Sequence, residues 1–77
     1  MNTAGRLAEI DRHIEDCTRR VADQGRYVAE LRAQGRDSSV STEVLDLLKE
    51  VLAALVQHRK LLKRTLAGEA RRRKLRF

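Results

Sequence analysis

The stretch from Val44 to Leu66, VLDLLKEVLAALVQHRKLLKRTL, constrains this chain more than any other. On a helix, Leu48, Leu55 and Leu62 fall seven apart in one line. Val44 and Val51 flank that line on one side, with Leu47, Ala54 and Leu61 beyond them, and Leu45, Leu52 and Leu66 flank it on the other. In heptad terms the a, d, e and g positions are nearly all apolar, a face of roughly half the helix circumference. A single neighbouring helix covers only an a/d seam, so a face this wide asks for two neighbours.

Upstream, the apolar residues keep a stricter rhythm. Leu7, Ile10, Ile14, Cys17, Val21, Val28 and Leu31 alternate spacings of three and four, with Gln24 holding the one polar place in the series. This is a narrow a/d seam sustained over about four heptads. Its flanks are polar, and Glu15–Arg19, Asp16–Arg20 and Arg26–Glu30 are spaced as i,i+4 ion pairs. Gln24 is expected to fix register at some cost in stability, or else to meet a ligand. Gly25 beside it costs ~1 kcal/mol relative to Ala in mid-helix, which hints at a close helix approach.

Between the two patterns, Gly35 has the character of a helix C′ residue and Arg36-Asp37-Ser38-Ser39 that of a turn. The expected elements are helix 1 over about 4–34, capped by Asn2 or Thr3, a turn over about 35–40, and helix 2 over about 41–67. Helix 2 has two candidate caps. Ser41 would set Val40 against Leu45 as a hydrophobic staple, whereas Asp37 would start the helix earlier. Gly68 is a plausible stop, followed by a basic tail over 69–77 (EARRRKLRF) whose residues are mostly good helix formers. So short a connection makes the helices antiparallel. The fold class is therefore all-α, a coiled-coil-like two-helix hairpin over 1–68. The uncovered part of helix 2 is expected to close by dimerisation into a four-helix bundle.

Composition supports this. With 77 residues, no Pro, 36% charged residues and 3% aromatics, the chain has the make-up of one small domain of long exposed helices. A two-helix layer of this length buries little core, so association is the expected source of further stability. A lone Cys17 and no signal-like N-terminus point to a reducing cytoplasm, and Asp46, Lys49 and Glu50 interrupt the apolar run well before the ~20 residues of a membrane span.

The net charge of +6 is not spread evenly. Residues 1–58 carry eight Lys/Arg against ten Asp/Glu, while residues 59–77 carry nine Lys/Arg against Glu69 alone. Arg59, Lys60, Lys63, Arg64, Arg71, Arg72, Arg73, Lys74 and Arg76 thus form a basic end suited to phosphate backbones, or else a solvated end that keeps the chain soluble or pairs with an acidic protein. An anionic membrane surface, with Leu75 and Phe77 inserting, is the least favoured of the three. One Tyr and one Phe are too few for a base-stacking platform, so any grip on nucleic acid is on backbone or shape.

Chemistry is sparse. His13, Cys17 and His58 are the only cluster with metal or nucleophile character, and the blander expectation is a small core filler with two histidines at the seam's edge. There is no Gly-rich phosphate loop, HExxH or CxxC, so neither an enzyme nor a bound cofactor or small-molecule substrate is expected. The segments LAEIDRHI, VAELRAQGRD and LVQHRKLL resemble short bacterial helical-hairpin proteins to which no activity is assigned. In architecture the chain also resembles the plasmid repressor-of-primer hairpin dimer. That likeness implies a dimeric bundle and carries no RNA-binding residue across, because the cations here gather at the C-terminal end. The functional expectation is a small non-enzymatic interaction protein, an adaptor or inhibitor. It uses the helix 2 face formed by Val44, Leu45, Leu47, Leu48, Val51, Leu52, Leu55, Leu61, Leu62 and Leu66 to self-associate, as a dimer, or to bind a partner. The alternative is a nucleic-acid-binding regulator acting through residues 59–77.

Overall fold

The computed structural model describes residues 2–75 and consists of two α-helices packed against each other, α1 (Thr3–Ala33) and α2 (Ser39–Leu75). Together they make a rod 67 × 16 × 14 Å. Asn2 starts α1, its side-chain oxygen accepting the Ala4 N–H at 2.9 Å, one of the four donors that a helix start leaves without a partner in the helix. At the other end Gly35 adopts φ 67°. The Gly35 N–H donates to the Arg32 carbonyl at 3.1 Å, and the Arg36 N–H donates to the Leu31 carbonyl at 2.9 Å. Those two bonds are a Schellman motif, and the left-handed φ is why the position belongs to glycine.

α2 begins two residues before Ser41. The Asp37 carboxylate accepts the Ser39 N–H at 3.0 Å and the Ser39 hydroxyl at 2.7 Å, and the Ser38 carbonyl receives the Thr42 N–H at 2.8 Å. The helix therefore starts earlier than a Ser41 cap would set it, with Ser38 in the cap position and the Asp37 side chain bonding from one residue ahead of it. The Val40–Leu45 staple is not formed, and Val40 lies 72% exposed on the first turn. These bonds to Ser39, the backbone one foremost, hold the Asp37 carboxyl below its ordinary value.

Nor does α2 stop at Gly68. It continues to Leu75, so 69–75 is helix rather than a separate tail, and Arg72, Arg73 and Lys74 occupy its last turn, where cations suit the helix dipole. A Cβ at Gly68 would meet nothing nearer than the Arg72 guanidinium at 3.9 Å, and one glycine in a run of helix formers costs less than the turns beyond it return. Residues 76–77 lie outside the described residues.

The core lies along the line where the helices meet. Ile10, Cys17, Val28 and Leu31 of α1 are buried, and Leu7, Ile14, Val21 and Gln24 are partly so. Opposite them, Leu45, Leu48, Leu52, Leu55 and Leu66 are partly buried and Leu62 is buried. Polar bonds mark the two ends of this line. Gln24 Nε2 donates to the Ser41 carbonyl at 2.9 Å near the turn, and the Thr3 hydroxyl donates to Glu69 at 2.8 Å near the open end. Between them Arg59 reaches Asp11 at 2.5 Å. Gln24 thus bridges the helices, the register role expected of a polar residue in an apolar seam. Gly25 marks no close approach, since a Cβ there would meet nothing within 4 Å. The surface ion pairs of α1 also differ from the i,i+4 set. Among the described residues they include Asp16–Arg19 and Asp23–Arg26, both i,i+3 and well exposed, a spacing that places the partners side by side equally well.

Candidate protein-interaction surface

The broad apolar face of α2 resolves into two stripes one residue apart. The inner stripe, Ser41, Leu45, Leu48, Leu52, Leu55, Arg59, Leu62 and Leu66, is the one turned to α1, and every member is buried or half-buried. The outer stripe runs Val40, Val44, Leu47, Val51, Ala54, His58, Leu61 and Thr65, and every member is exposed. Leu47 is 60%, Val51 51% and Leu61 50% open to solvent, against 8% for Leu62. Both stripes repeat spacings of four and three, so each is an a/d seam in its own right. Only one has a helix against it.

Of the expected interface residues, Leu45, Leu48, Leu52, Leu55, Leu62 and Leu66 thus serve the hairpin itself, and Val44, Leu47, Val51 and Leu61 are left outside. Val40, Ala54 and His58 belong to the outer seam as well. Val40 was hidden in the sequence by its place in the turn, although counting back four from Val44 along the heptad finds it. Beside the outer seam, between the two helices, runs a shallow groove in two parts of about 390 and 260 Å³. Leu48, Val51 and Leu55 form the apolar wall of the larger part, and His13, Asp16 and Arg20 of α1 form its polar wall.

The histidine–cysteine cluster is not assembled as a ligand set. Cys17 is buried with its thiol directed at the Leu48 carbonyl, 3.5 Å away, while His13 and His58 are exposed on the wall of the smaller part of the groove. Among the described residues no three His, Cys, Asp or Glu side chains are grouped to hold a metal ion.

The basic end divides in two. Arg59 faces inward and pairs with Asp11. Lys60, Lys63, Arg64, Arg71, Arg72, Arg73 and Lys74 are exposed along the last turns of α2, and Arg76 lies outside the described residues. With Glu69 level with the start of α1, the turn and a half of α2 after it projects past the hairpin. No helix among the described residues is long and apolar enough to cross a membrane. Comparison with protein-family models, with curated proteins and with solved structures gave no match.

Proposed function

We propose that this chain is a small non-enzymatic helical interaction protein, an adaptor or inhibitor, that works by presenting the outer seam of α2 to another helix. The observation that carries this is the second heptad seam lying uncovered beside the first. Large aliphatic side chains scattered singly on a surface are ordinary, but a run in a/d register over more than three heptads is the pattern of a helix-binding face. An amphipathic helix from a second copy or from another protein fits it equally in kind.

Two substitutions test the reading. Leu47→Asp and Val51→Asp place a charge in the seam without touching a residue turned to α1. The hairpin should keep its helical circular dichroism while association, followed by sedimentation velocity and by cross-linking, is lost. If both variants associate as the wild type does, the outer seam is not the interaction face.

A second reading, a nucleic-acid-binding regulator, is supported by the cations clustered on the projecting end of α2. Backbone binding of this kind weakens steeply with salt. Fluorescence anisotropy with duplex RNA and duplex DNA should show that dependence, and deletion of residues 69–77 should abolish binding. Absence of binding at low salt removes this reading.

A further inference from the structure

We infer that the outer seam is covered by the same seam of a second copy, running antiparallel, with a two-fold axis passing between Val51 and Ala54. This rests on the reading of α2 as an association face and names the occupant, its direction and its register. Three observations carry it.

The first is area. The chain exposes 6262 Å². A compact monomer of this size exposes about 4,800 Å², so roughly 1,500 Å² per copy stands in excess. A stable interface takes about 800 Å² from each partner, and obligate dimers take more. The excess is of the size that a dimer interface removes.

The second is the symmetry of the seam. Its spacings, 4-3-4-3-4-3-4 from Val40 to Thr65, are the same in either direction. An antiparallel copy therefore meets it layer by layer, with each a position opposite a d position. Val51 lies against Ala54 of the second copy, Leu47 against its His58, Val44 against its Leu61 and Val40 against its Thr65. The smallest apolar residue of the seam falls beside the axis, where two helices approach most closely.

The third is charge. Along the seam, residues 40–52 carry Glu43, Asp46 and Glu50 against Lys49, and residues 53–65 carry Arg59, Lys60, Lys63 and Arg64 with no acid. Antiparallel packing lays acidic half on basic half. In particular, Glu43 and Arg64, both exposed on the outer flank of the seam, come to nearly the same level on opposite copies. A parallel copy would instead align the two basic ends. The flanking pairs select direction in helix pairs of this kind.

Charge reversal tests the register without disturbing the core. Glu43→Arg or Arg64→Glu alone should raise the dimer dissociation constant about tenfold, because each change turns two symmetric attractions into repulsions. The double variant, Glu43→Arg with Arg64→Glu, should return to within about twofold of the wild type. Separately, a spin label on Ala67→Cys in a Cys17→Ala background should report about 44 Å between copies, 29 residues apart along antiparallel helices. A parallel pair would hold the two labels within about 20 Å, across neighbouring axes some 10 Å apart. A dimer with the short distance, or one without charge rescue, overturns the register and leaves the association reading standing. A wild type that stays monomeric across the concentration series overturns the second copy as occupant. In that case the association reading stands only if the wild type captures another protein and the Leu47→Asp and Val51→Asp variants lose it.

Discussion

The two seams of α2 are one residue apart in sequence and almost identical in spacing, yet they do different work. The inner one is mostly Leu, and its long γ-branched side chains are buried or half-buried where α2 packs on α1. The outer one mixes Val, Leu and Ala with His58 and Thr65, and keeps its side chains in water. Both carry one strongly polar member at the same height, Arg59 inside and His58 outside. Arg59 has found Asp11 across the hairpin. A side chain's part in folding here is set by which way it faces, not by its hydrophobicity.

The contrast is sharpest at Leu61 and Leu62, adjacent leucines on opposite sides of the boundary. Leu62→Ala should cost about 2–4 kcal/mol of unfolding free energy, at any protein concentration, because it empties a packed site. Leu61→Ala should cost under about 1 kcal/mol in dilute solution, where half of its surface is already wet, and more as concentration rises and copies associate. Urea titrations at two concentrations check both. Equal costs at both positions would erase the distinction between the seams.

Gln24→Ala probes what holds the inner seam in register. Loss of the bond to the Ser41 carbonyl should cost about 1 kcal/mol by the same titration, and the effect should be independent of association. Gly25→Ala touches neither seam. With a negative φ and open space at its Cβ, it should stabilise the hairpin by roughly 0.5–1 kcal/mol through helix propensity alone. Melting temperature reports it directly, and a fall would mean that Gly25 has a neighbour in the assembled protein.

The smallest effect is expected at Asp37. Its carboxyl titrates below the ordinary 3.8 when folded, so its contribution is fully present above that value and is lost as pH falls through the lowered folded value. Thermal melts of wild type and Asp37→Ala should therefore differ at neutral pH and converge in acid below the folded value. A gap that persists there would place the cap's contribution elsewhere than in the charge.

How much of this was legible in advance differs from element to element. Heptad spacing, with the Asn2 or Thr3 cap and the Gly35 stop, located α1 to within a residue at each end, because an a/d rhythm kept over about four heptads admits no other regular structure. The α2 face was legible as too wide for one neighbour. That it is two separate seams was written in the same residues, but it could be seen only once α1 was known to lie against Leu48 and Leu55 rather than against Leu47 and Val51. The start and end of α2 were the least legible. Asp37 and Ser41 are chemically similar caps, and Gly68 has the composition of a stop, so local preferences of about 1 kcal/mol competed and none was decisive.

By itself the sequence determined the helices, the turn at Gly35 and the gathering of cations at one end, since periodicity, a left-handed φ and charge count are all local properties. The tertiary structure decided which stripe of α2 is spent on the hairpin and which stays open to solvent. That choice depends on rotation about the helix axis. A step of one residue turns the face by about 100°, and only the packing of α1, anchored by Gln24 on Ser41 and by Asp11 on Arg59, fixes it.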